Sequence, residues 1–119
     1  MSALQKKIYR IVWDAQRAGI KKAAPGMAAR DVDAACRDLI RKQGYAQRFG
    51  HGTGHGVGLE IHEAPTVSSK SETILKPGMV ITVEPGIYLP GKFGVRIEDM
   101  VLITKNGHEV LTRDLDQSV

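Results

Sequence analysis

Gly50-His51-Gly52-Thr53-Gly54-His55-Gly56-Val57-Gly58, residues 50–58, divides the chain into two textures. Five glycines in nine positions make a regular helix costly here, because each glycine loses a large amount of backbone freedom on ordering. The stretch suits a place where backbone or ligand must approach closely. Helical periodicity precedes it and β patterning follows it.

Upstream, residues 3–22 carry Leu4, Ile8, Ile11, Val12 and Ala15 at spacings of three and four, the period of an amphipathic helix. Trp13 reads as packing. Pro25-Gly26 breaks the pattern. A second helix is expected over 30–43, where Val32, Cys36, Leu39 and Ile40 form one apolar stripe, with Gly44 placed as a left-handed cap.

Downstream, residues 79–83 form a short apolar, β-branched run stopped by Pro85-Gly86. Residues 93–104 read as one longer strand. Asn106-Gly107 makes a tight turn and 109–112 returns as the partner strand. Two helices followed by mostly antiparallel β predict an α+β fold, helices against one face of a sheet, in a single domain spanning 1–119.

Composition narrows the function. The net charge of +4 comes from basic residues interleaved with acidic ones, many on the two helices, with no aromatic platform accompanying them, so a solvated helix face is expected and nucleic acid is not. No run approaches the ~18 apolar residues of a membrane span, and the first residues lack the apolar centre of a secretory signal. The single cysteine, Cys36, reads as a small buried apolar side chain. Its solitude and the missing signal point to the cytoplasm.

Three of the four histidines, His51, His55 and His62, lie within twelve residues. Glycines around the first two argue against a helical zinc pair, so the three converge, if they do, from a loop or bent strand. Glu84 ends the run Met-Val-Ile-Thr-Val, and Glu98 lies inside a strand that is otherwise apolar. Strand alternation puts Arg96, Glu98 and Met100 on one face, Val95, Ile97 and Asp99 on the other. A glutamate in a buried strand needs a partner. That partner is either Arg96 or a cation, and a histidine with two glutamates offers nitrogen and hard oxygen to a divalent metal. His108, beside the turn, is expected to be exposed.

The strings HGTGHGVGLEIHE (51–63), VEPGIY (83–88) and GVRIEDMVLIT (94–104) closely resemble the Xaa-Pro dipeptidases and Xaa-Pro aminopeptidases, pita-bread metallopeptidases related to methionine aminopeptidase. The resemblance covers nearly the whole chain. It implies the C-terminal half of a pita-bread domain and hydrolysis of peptide bonds next to proline. It further implies His55, Glu84 and Glu98 as metal ligands, with Glu98 bridging two ions. His51 and His62 would line the substrate pocket, with His62 helping to move protons. Tyr88 and Arg96 would orient ligands and substrate, and Glu84 would also act as general base towards a metal-activated water. Manganese suits the carboxylate-rich set, and cobalt or zinc could substitute.

The family's set has five ligands, the first two being aspartates upstream of a helix like 3–22. Asp14, Asp31, Asp33 and Asp38 all lie in helical patterns and do not replace them. Of two metals in a complete site, this chain is therefore expected to hold at most one, weakly, with little activity alone. Uncovered strand edges predict a homo-oligomer or a complementing upstream half. The alternative is a non-catalytic pita-bread-like binding module. Intact His51, His55, His62, Glu84 and Glu98 favour the enzyme, since a purely structural relative needs no metal-binding side chains at all these sites.

Overall fold

The computed structural model describes residues 1–57 and 66–112. His62 lies outside the described residues. Helix α1 spans Ala3–Lys22 and α2 spans Ala29–Lys42, within a residue of the expected bounds. Ser2 starts α1 with a capping box: its hydroxyl accepts from the Gln5 N–H and the Gln5 side chain accepts from the Ser2 N–H. Lys21 and Lys22 close the helix at the negative end of its dipole. Gly26 and Gly44 turn the chain after each helix at φ 89° and 90°, a conformation that favours glycine.

The helices cross at Gly19. A Cβ there would overlap the Cys36 sulfur and press on the Val32 carbonyl, so the absent side chain lets the helices close. Cys36 is buried, as expected. Burial is the main cause that pushes its thiol up to about 12, followed by the nearby Asp33 charge.

Among the described residues, seven short strands follow a 3-10 turn at Ala46–Arg48: β1 Gly54–His55, β2 Thr66–Val67, β3 Val80–Val83, β4 Gly86–Leu89, β5 Phe93–Arg96, β6 Asp99–Thr104 and β7 Gly107–Val110. All pairings are antiparallel: β1 with β2, β3 with β6, β6 with β7, and β4 with β5. Ile8, Val12 and Ile20 of α1 and Val32 and Ile40 of α2 pack on Ile81, Val83, Ile87, Val101 and Ile103 in one core. This is the α+β arrangement read from the sequence. Among the described residues no helix is long and apolar enough to cross a membrane.

Two β expectations need correction. Residues 93–104 are two strands in separate sheets, while β3 ends at Val83 ahead of Pro85-Gly86 as expected and β4 opens a second pairing at Gly86. The reason is local. In one register Val83 pairs with Asp99, and in the next Gly86 pairs with Arg96. Between them stand Glu84-Pro85 on one side and Ile97-Glu98 on the other. Pro85 has no N–H to give to a ladder, so pairing lapses on both chains at once. One weak bond crosses the gap, from the Ile97 N–H to the Pro85 carbonyl at 3.4 Å. The turn expected at Asn106-Gly107 lies one residue earlier, since Thr104 pairs with Gly107 around Lys105-Asn106. His108 is half-buried rather than exposed, its Nδ1 held 2.9 Å from the Ala23 carbonyl.

Candidate metal and substrate site

Glu84 and Glu98 meet because both sit in that single lapse of the ladder. Burial alternates through the break: Ile97 and Asp99 face inward, Glu98 faces out. The expectation of a buried Glu98 is thus corrected, and the carboxylate inside is Asp99, at 1% exposure. Hydrogen bonding to the neighbouring Glu84 carboxyl is the first cause holding Glu98 above the usual carboxylate range, followed by desolvation and the Glu84 charge, while Arg96 and His55 pull the other way.

The histidine segment is drawn alongside β3 by backbone bonds. The Glu84 N–H donates to the Thr53 carbonyl at 2.6 Å and the Val57 N–H to the Val80 carbonyl at 2.9 Å. The Thr82 hydroxyl accepts from the His55 N–H at 3.0 Å. Gly54 is pressed so closely on the Thr82 carbonyl that any Cβ would overlap it. Here the glycine-rich texture has its cause: backbone lies on backbone.

His55 reaches the carboxylates as a result. Its Nδ1 lies 2.9 Å from the Gly56 carbonyl, which can only accept, so Nδ1 carries the proton and Nε2 keeps its lone pair. That Nε2 lies 3.7 Å from Glu84 Oε2. The same oxygen is buried and has no hydrogen-bond partner among the described atoms. A buried carboxylate oxygen without a donor, facing an imidazole lone pair, suits a cation between them. His55, Glu84 and Glu98 therefore form two pairs joined at Glu84. Among the described residues, no group of three His, Cys, Asp or Glu side chains closes tightly enough to hold an ion. The donor chemistry fits a divalent metal, and the set is open.

His51 is fixed by two contacts. Nδ1 donates to the Gly52 carbonyl at 2.6 Å, which leaves Nε2 to accept from the Tyr88 hydroxyl at 2.7 Å. Tyr88 reaches it because its ring lies over Gly86 and Gly94, where a Cβ at either position would collide with the ring. His51, Gly52, Gly54, His55, Thr66, Ser68, Glu84 and Arg96 line one cleft of about 480 Å³. Four residues nominated from the sequence thus share a cleft, and Tyr88 supports one of them from behind.

Several supporting residues are not nominated by the sequence. Asp33 is buried and takes Arg37 in a bidentate pair, both bonds 2.9 Å. Arg37 also donates to the carbonyls of Phe49 and His51 at 3.0 and 2.9 Å and stacks 4.2 Å from the Phe49 ring centroid. Asp33 accepts from the Thr53 hydroxyl at 2.7 Å. This tie between α2 and residues 49–53 turns one of the basic helix residues inward. Its only sequence signal is an Asp and an Arg four apart on a helix.

The family model for metallopeptidase family M24 matches residues 1–105. The chain is 54% identical over 109 residues to an Xaa-Pro dipeptidase of Pyrococcus horikoshii, covering 92% of this chain and 31% of that protein. It is 53% identical over 107 residues to the uncharacterised peptidase YqhT of Bacillus subtilis, covering 90% and 30%. The prolidase structure from Pyrococcus horikoshii OT3 superposes with a TM-score of 0.93 at 50% identity, over 99% of this chain and 34% of that one. An X-Pro aminopeptidase structure from Thermotoga maritima MSB8 gives a TM-score of 0.92 at 44% identity, over 98% and 33%. The chain spans about a third of the length of these relatives. A family match over residues 1–105, which include His55, Glu84 and Glu98, makes this chain a member of metallopeptidase family M24.

Proposed function

We propose that residues 1–119 form part of a metal-dependent peptidase acting on X-Pro peptides, with His55, Glu84 and Glu98 as ligands to a divalent ion. The observation carrying this reading is the His55 Nε2 lone pair turned towards the partnerless Oε2 of Glu84, with the Glu98 carboxyl beside it. A bound divalent ion supplies Lewis acidity to the scissile carbonyl and to water. Glu84 takes the proton of the attacking water. His51, His62 and Arg96 receive and orient the peptide, and Tyr88 holds the His51 ring in the tautomer that accepts at Nε2. The relatives named Xaa-Pro dipeptidase and X-Pro aminopeptidase support the substrate class.

Manganese is the ion best suited to this oxygen-rich set. Three ligands hold it weakly, and two aspartates from a complementing upstream portion complete the site. A reducing, cytoplasmic setting suits the lone thiol.

The test is a calorimetric manganese titration with an X-Pro dipeptide assay, on this chain and on a version extended upstream. Weak uptake of at most one ion by the short chain is expected, abolished by Glu84→Gln. Hydrolysis is expected only in the extended version. Tight uptake of two ions by the short chain would overturn the open-site reading, and inactivity of the extended version would favour a binding module.

A further inference from the structure

Gln16 stands on the buried stripe of α1 between Val12 and Ile20, four residues from each, where an apolar residue is the ordinary occupant. It is fully buried. Its Nε2 lies 3.0 Å from Asp99 Oδ2 and 3.4 Å from the carbonyls of both Val83 and Ile97. All three groups only accept, which fixes the amide orientation. Val83 immediately precedes Glu84, Ile97 precedes Glu98 and Asp99 follows it. One amide thus holds, from behind, both chains at the point where their own ladder lapses. Asp99 is held in turn by the Thr112 hydroxyl at 2.6 Å.

The Oε1 of the same amide is buried without a partner among the described atoms. A residue present only for packing has no use for such an orphan, because an unmet buried acceptor opposes folding. What the amide does supply is a bridge across the gap between Glu84 and Glu98.

We infer that Gln16 is a positioning residue that sets the separation of Glu84 and Glu98 by tying the Val83 and Ile97 carbonyls to one helix side chain. The inference rests on the metal-ligand reading of the two glutamates. Outer contacts of this kind commonly change metal affinity by about 10–100-fold when removed.

The test is Gln16→Met, of similar length and without donors, measured in the full chain by manganese titration beside its crystal structure. Val12→Ala, one turn earlier on the same stripe, serves as a core control. At least a tenfold loss of manganese affinity in Gln16→Met is expected, with a wider Glu84–Glu98 separation and a smaller affinity loss in Val12→Ala. Affinity within twofold of the parent would overturn the inference, as would an equal loss in both variants. If Gln16→Met does not fold, Gln16→Asn withdraws the amide by one methylene and is expected to weaken binding in the same direction. Should the parent chain take up no manganese, the metal reading fails, and positioning is then decided by geometry alone. A wider separation in the variant structure upholds it and an unchanged one ends it.

Discussion

The Tyr88 hydroxyl donates to Nε2 of His51 across 2.7 Å, between residues 37 apart in sequence. Gly94, paired opposite Tyr88, and Gly86, two residues before it, keep the ring flat enough to reach. Tyr88→Phe should cost about 1 kcal/mol in chemical denaturation, the usual net worth of a hydrogen bond. It should also release the His51 ring to sample both tautomers, read from imidazole nitrogen NMR. Gly94→Ala should reproduce the nitrogen signature by displacing the ring. Spectra identical to the parent in both variants would contradict the geometry.

Arg37 should matter more than a surface arginine. Arg37→Met leaves the Asp33 carboxylate buried without its cation, and breaking such a pair costs about 3–5 kcal/mol. Arg37→Lys should recover little, since a point charge cannot make the two parallel bonds or reach both carbonyls. A denaturation cycle with Asp33→Asn should show non-additivity of about 0.5–3 kcal/mol.

Gly19→Ala should destabilise by about 1–3 kcal/mol, because the added methyl overlaps the Cys36 sulfur. Adding Cys36→Ala to it should return part of that loss, although each change alone destabilises. Thermal melts of the four proteins give the sign, and strict additivity would refute the contact.

The Cys36 thiol, pushed up to about 12, stays protonated where an unfolded thiol ionises. At pH 8 an alkylating reagent should label it only as fast as the chain opens. Below about pH 9 the thiol is neutral in both states and its contribution to stability is complete. Above that the unfolded chain sheds the proton first, so the contribution falls as pH rises towards 12. Rapid labelling of the folded chain would show the site to be open.

Both helices were legible to within a residue because their apolar spacing is long and regular and their ends carry a cap or a glycine. The strands were less so. Residues 93–104 look continuous, and the interruption at Ile97-Glu98 is imposed by Pro85 on the opposite chain, which no local window contains. Alternation separates Glu98 from Asp99 correctly, but it does not say which of the two faces is turned to the helices. His55, Glu84, His51 and Arg96 were legible by residue type, and the cleft unites them. Gln16, Asp33 and Arg37 are hidden because their contacts include groups distant in sequence, carbonyls of residues 49, 51, 83 and 97 and the Thr53 hydroxyl, which leave no mark in composition or periodicity.

The seam where residues 53–57 lie on 80–84 has a dynamic consequence. The imidazole and its neighbouring carboxylate are carried on two strips of main chain zipped to each other, with no room for a spacer at Gly54. Neither can drift while the other stays. Heat or denaturant should therefore switch the pair off in one step, and amide exchange at Val57 and Glu84 should rise together when it happens.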